Sequence, residues 1–112
     1  MKGGAYKAVR EANQGGEVHH MPAASASRLR VEEGPAIWME TLDHRQTASW
    51  GRSRSAIDYR KRQQALIQQG KFLEALQMDI EDIRSKFDSK YDQAIQEMLE
   101  YVETIRDRLN PD

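Results

Sequence analysis

The chain has 112 residues, of which 38% are hydrophobic and 31% charged; that is enough for one domain with a modest core and too little for two. Cysteine is absent, which excludes disulfides and thiolate metal sites, so any metal must be held by His, carboxylate, amide or hydroxyl groups. No apolar stretch is long enough to span a bilayer, and Met1-Lys2-Gly3-Gly4 lacks the apolar centre of a signal peptide. The formal net charge of -1 hides a polarity: residues 1–70 carry 11 Lys and Arg against 7 Asp and Glu, whereas residues 71–112 carry 6 against 11. A polyanion would therefore meet the first two thirds of the chain.

In chain order, Ala5 to Ala12 predicts a short helix stopped by Asn13-Gln14-Gly15-Gly16. Glu17-Val18-His19-His20 closes on Met21-Pro22 and reads as a short strand. Residues 23–35 form a loop of small residues, in which Arg28-Leu29-Arg30-Val31 could pair as a few strand residues. Ala36 to Thr41 predicts a second strand, and Asp43 to Gly51 a polar turn. The pattern then becomes helical. Ser55 and Asp58 have capping-box spacing, and the helix they open should end at Gly70. A second helix starts near Lys71 with Phe72, Leu76, Ile80, Ile83 and Phe87 on one face. Ser89 and Asp92 form another capping pair, after which Tyr91, Ile95, Met98, Val102, Ile105 and Leu109 continue the helical spacing toward Pro111. The expected fold is α+β and mostly α: a short β-hairpin followed by C-terminal helices.

All three histidines lie in two polar motifs, Glu17-Val18-His19-His20 and Asp43-His44-Arg45. Along a strand His19 and Glu17 share one face and His20 takes the other. At a strand end both rings can still border one cleft, one to bind a metal and one to accept a proton, and neutral imidazole suits both tasks near pH 7. Blander readings stand beside these. The histidine pair could be structural, Asp43-His44 an exposed turn, and the run of Arg45, Arg52, Arg54, Arg60, Lys61 and Arg62 a solvated helix face. Trp38 and Trp50 could stack on bases, but read first as hairpin or core packing, and Met39, Met78 and Met98 as core or rim filler.

The stretch Glu17-Val18-His19-His20-Met21-Pro22 resembles the start of the HNH motif of nuclease colicins, and the wider chain is similar to the "VHH" type of HNH/endonuclease VII toxin domain found at the C-termini of bacterial polymorphic, Rhs-like toxins. Gly34-Pro35-Ala36-Ile37, the segment from Asp43 to Gly51 and that from Gln77 to Phe87 carry the rest of the likeness. The resemblance implies one nuclease domain over residues 1–112: an N-terminal segment (1–15), a ββα-metal core (16–70) that grips one divalent ion, and an acidic helical pair (71–112). It implies His19 and His44 as metal ligands, His20 as the general base, and Glu17 as an orienting partner. The family's Asn has no counterpart, since the only asparagines are Asn13 and Asn110, and no further His follows His44. Asp43 is then the candidate third ligand, against a helix-capping role, and Thr47 a weaker one. Such mixed ligation suits Mg²⁺, Mn²⁺, Zn²⁺ or Ni²⁺. Arg45 would clamp phosphate in the active centre, with Arg52 and Arg54 as further nucleic-acid contacts. The implied activity is endonucleolytic cleavage of DNA, with RNA as an alternative. It would be delivered within a larger secreted toxin to a target cell's cytoplasm and restrained by a cognate immunity protein. The competing reading is a nucleic-acid-binding or protein-interaction module with a structural metal site.

Overall fold

A computed structural model describes residues 1–12 and 14–109. Three short strands, β1 (Gly3–Ala5), β2 (Glu17–His20) and β3 (Pro35–Met39), form one antiparallel sheet with β3 in the centre. The helices are α1 (Tyr6–Glu11), α2 (Thr41–His44), α3 (Arg54–Gln68), α4 (Phe72–Phe87) and α5 (Asp92–Thr104). The fold is thus α+β and mostly helical, as expected. No helix among the described residues is long and apolar enough to cross a membrane.

The predicted hairpin pair is present: His19 lies opposite Ile37, and His20 opposite Ala36. A third strand was not expected. Gly3–Ala5 pairs with β3 on its other side, Gly3 opposite Ile37, and leaves only Tyr6–Glu11 as helix. Gly3 also explains why the chain can pass here. A Cβ at this position would lie 1.9 Å from the Ala94 carbonyl oxygen, so only glycine lets the strand rest on α5. The N-terminal segment is therefore woven into both the sheet and the C-terminal helices.

Several local expectations give way to tertiary context. Arg28–Val31 forms no strand; Val31–Glu33 is a 3-10 turn. The second strand stops at Met39, and Thr41 opens α2 instead. Ser53, not Ser55, caps α3: it has extended backbone and its Oγ accepts from the Ala56 N–H at 3.1 Å, while Asp58 pairs with Arg54. Gly70, at φ +77°, follows the helix as predicted. Ser89 does not cap α5 with its side chain; its carbonyl accepts from the Asp92 N–H. That helix ends at Thr104, and a 3-10 turn at Arg106–Arg108 carries Leu109 back to the core. Pro111 and Asn13, read as stop signals, lie outside the described residues.

The apolar faces pack as their spacing implies. Phe72, Leu76 and Ile83 of α4 and Ile95, Met98 and Val102 of α5 join Ile37 and Met39 in one buried cluster, each large side chain contributing about 1.5–3 kcal/mol. One polar group sits inside this packing. Asp79, 1% exposed, accepts from the Tyr59 hydroxyl at 2.7 Å and from the Gln63 amide at 2.8 Å. Gln63, 0% exposed, also donates to the Ala75 carbonyl and accepts from the Ala23 N–H. It thereby ties the loop after β2 to both α3 and α4.

Burial pushes the Asp79 carboxyl up to about 7, against the opposing pull of its Gln63 and Tyr59 hydrogen bonds. The folded protein then keeps a proton that the unfolded chain releases near its ordinary value of about 3.9. Stability from this group is complete below that value and is lost as pH rises through about 7. Asp79→Asn removes the titration while keeping the shape. Relative to wild type, its urea midpoint should gain most at about pH 8 and least at about pH 4; a difference independent of pH would show that Asp79 does not hold the proton.

Candidate active site

β2 is an edge strand, paired with β3 on one side and flanked by α2. Its alternation sends Glu17 and His19 to the face shared with Ile37 and Met39, and Val18 and His20 to the other. At an edge, both faces open onto the same flank. A cleft of about 490 Å³ runs there, lined from both sides by residues that include Tyr6, Arg10, Glu17, Val18, His44 and Trp50.

Glu17 organises one side of this cleft. Its Oε1 lies 2.6 Å from His44 Nδ1, and its Oε2 accepts from Arg45 at 3.0 Å. The hydrogen bond from His44, with the Arg45 charge adding to it, holds the Glu17 carboxyl below its ordinary range. An ionised carboxylate only accepts, so the His44 Nδ1–H donates to Glu17 and Nε2 is the ring nitrogen that Glu17 leaves unengaged. His19 sits beside it, ring centroids 5.0 Å apart and edge to face. His19 is 3% exposed and its Nε2 has no hydrogen-bond partner. Burial, reinforced by the neighbouring histidines, lowers its pKa to about 3, so the ring is neutral.

His20 takes a separate set of partners. Its ring stacks on Tyr6 at 4.1 Å with 13° between planes, and Nε2 lies 2.9 Å from the Val31 carbonyl. A carbonyl can only accept, so the proton is on Nε2 and Nδ1 is left as a base. Burial lowers the His20 pKa, partly offset by the Val31 hydrogen bond. Gly34 gives the ring its room: a Cβ there would lie 3.0 Å from His20 Cδ2. His20 does not line the cleft itself; Tyr6, on which it stacks, does.

The structure thus gathers Glu17, His19, His44 and Arg45, while His20 stacks on Tyr6, which lines the same cleft as Glu17 and His44. Two candidate ligands are placed elsewhere. The Asp43 carboxylate accepts from Lys90 at 2.7 Å and from the Tyr91 hydroxyl at 2.6 Å, and these bonds lower its pKa, Lys90 most. It fastens α2 to the start of α5 rather than facing the histidines. The Thr47 hydroxyl is buried and donates to the His44 carbonyl at 2.7 Å. Arg52 and Arg54 are exposed and do not line the cleft, and Arg54 pairs with Asp58. Arg60, within the basic run, is tied to the Ser49 and Gly51 carbonyls. Trp38 packs against the core as expected, half-buried with its indole N–H donated to the Gly15 carbonyl, and its remaining surface also lines the cleft. Trp50 does not: it is 45% exposed at the cleft wall. Tyr6 and Arg10 were missed, since nothing in a short N-terminal helix signals that it will cross behind His20.

Among the described residues no group of three or more His, Asp or Glu side chains is gathered to hold a metal. What is present fits one in chemistry. His19 offers an orphaned, desolvated nitrogen, a state that costs about 1–3 kcal/mol without a partner. His44 offers a second nitrogen backed by a carboxylate, the usual arrangement behind a metal-bound histidine.

His19 titration checks this environment. Its depressed pKa means that its contribution to stability is complete above about 6.5 and is lost as pH falls toward about 3, a slope opposite to that of Asp79. In nitrogen-15 spectra of metal-free protein, His19 should stay neutral from pH 8 down to about 5; a midpoint near 6.5 would place the ring in solvent. Compared with known protein families, curated proteins and solved structures, the chain matches none.

Proposed function

We propose that this chain is a metal-dependent nuclease of the HNH/endonuclease VII kind, acting on DNA. The observation that carries the reading is the Glu17-supported His44 beside the buried, unpartnered Nε2 of His19. His19 and His44 would hold one divalent ion, Mg²⁺, Mn²⁺, Zn²⁺ or Ni²⁺, which when bound supplies charge stabilisation for the phosphate and the leaving 3′ oxygen. His20 Nδ1 takes a proton from the attacking water, its ring plane held by Tyr6 and its tautomer by Val31. Arg45, anchored to Glu17 by one nitrogen and half-exposed, keeps other donors for a phosphate. A structural metal site would be closed by four protein ligands, and Asp43 and Thr47 have other partners; this favours the catalytic reading.

The same reading makes the chain the toxin module of a larger secreted protein, active in a target cell's cytoplasm. The producing cell then needs an immunity protein. We place its contact over the cleft that Arg45 and His44 flank, where it would exclude substrate directly.

Purified protein should nick plasmid DNA only with added metal and not in EDTA, with total RNA as the alternative substrate. His20→Ala should lower the rate by about 10²–10⁴ while calorimetry shows metal affinity nearly unchanged. His19→Ala and His44→Ala should each weaken metal binding strongly, and Glu17→Gln should cost about 10–100-fold. Full metal affinity and full activity in either ligand variant would overturn the site. Loss of metal binding in His20→Ala would reverse the two histidines.

A further inference from the structure

Trp50 is the one aromatic side chain among the exposed large hydrophobic residues described. A single exposed tryptophan is common enough to need no explanation. Here three further observations converge. Trp50 lines the same cleft as Glu17 and His44. Its turn is braced from below: Arg60 donates to the carbonyls on either side of it, Ser49 at 2.6 Å and Gly51 at 2.8 Å. Asp82 accepts from the Ala48 N–H and Lys86 donates to the Gln46 carbonyl. Two helices thus hold rigid a turn whose aromatic side chain is left in water. The cleft also carries Arg10, and the Arg45 guanidinium lies 5.8 Å from the Trp50 ring centroid.

We propose that Trp50 is a stacking platform for an unpaired nucleic-acid base next to the phosphate that is cut, so that the site takes single-stranded or locally opened strands. The inference rests on the nuclease reading and specifies its substrate. A base inside a duplex shows its faces only to its neighbours, so it can stack on a protein ring only when unstacked or extruded. An indole face with the Arg45 guanidinium beside it, in a cleft that also carries Arg10 over Tyr6, is the chemistry that holds such bases without regard to sequence. The cleft volume of about 490 Å³ is large enough to take one nucleotide.

The test measures binding in EDTA, so that nothing is cleaved, with a fluorescein-labelled oligonucleotide of about twelve nucleotides and its duplex as probes. Trp50→Ala should weaken single-strand binding about tenfold to hundredfold, Trp50→Phe should retain most of it, and the duplex should change less. In a Trp38→Phe background Trp50 is the only tryptophan, and the single strand should quench its fluorescence. Circular dichroism confirms that each variant is folded. Wild-type single-strand affinity in Trp50→Ala overturns the proposal, as a Trp50 used for a protein contact would give. Equal losses for both probes overturn it too. If plasmid and RNA stay intact with every metal while Trp50-dependent strand binding persists, the nuclease reading fails and the base-binding cleft stands.

Discussion

The carboxylate of Glu17 joins the edge strand to the short helix beside it. One oxygen meets His44 Nδ1 and the other accepts from Arg45, so the last residue of α2 and the residue that caps it are oriented by one side chain of β2. α2 has four residues, too few to be stable alone. Its position is therefore set by what it touches. On one side that is Glu17. On the other it is Asp43, fastened to Lys90 and Tyr91, with Tyr91 also accepting from the Glu40 N–H. These two carboxylates tie the short helix on both sides and so help to fix His44 beside His19.

The acidic C-terminal helices then acquire a definite role. Lys90 and Tyr91 at the start of α5 hold α2, Asp82 and Lys86 of α4 hold the turn after it, and Asp79 of α4 engages Gln63 of α3, which in turn holds the loop that leaves β2. Exposed ion pairs contribute little to stability, about 0–1 kcal/mol each. The effect of Lys90–Asp43 and of the hydrogen bonds beside it is positional: each contact joins a segment near the cleft to a helix packed in the core, and so limits the conformations in which the cleft residues can sit.

Two buried titratable groups lie at either end of this arrangement, and both are pushed toward the neutral form for the same reason. His19 loses its proton readily and Asp79 holds its proton up to about pH 7 because a charge is costly away from water. They differ in satisfaction. Asp79 has two donors within hydrogen-bond distance. His19 Nε2 has none, and the His44 ring packs edge to face beside it, centroids 5.0 Å apart.

The sequence by itself determined the local elements and the types of group at the site. Apolar spacing located α4 and α5, Gly70 marked the end of α3, and two histidine motifs flanked by acids and an arginine supplied the groups of the candidate site. Those signals are local, because helix periodicity and turn preference act over a few residues. What tertiary structure alone decided was partnership. That Glu17 meets His44 and Arg45, that Asp43 turns to Lys90 and Tyr91, that Gly3 lets a third strand rest on α5, and that Tyr6 backs His20 all depend on chain segments brought together from far apart. The same holds for Trp50 against Trp38. Both are tryptophans in polar surroundings, and no spacing distinguishes the one that packs from the one a braced turn leaves in water. A carboxylate or an indole has no preferred sequence separation from its partner; the packing of the core chooses which one it can reach.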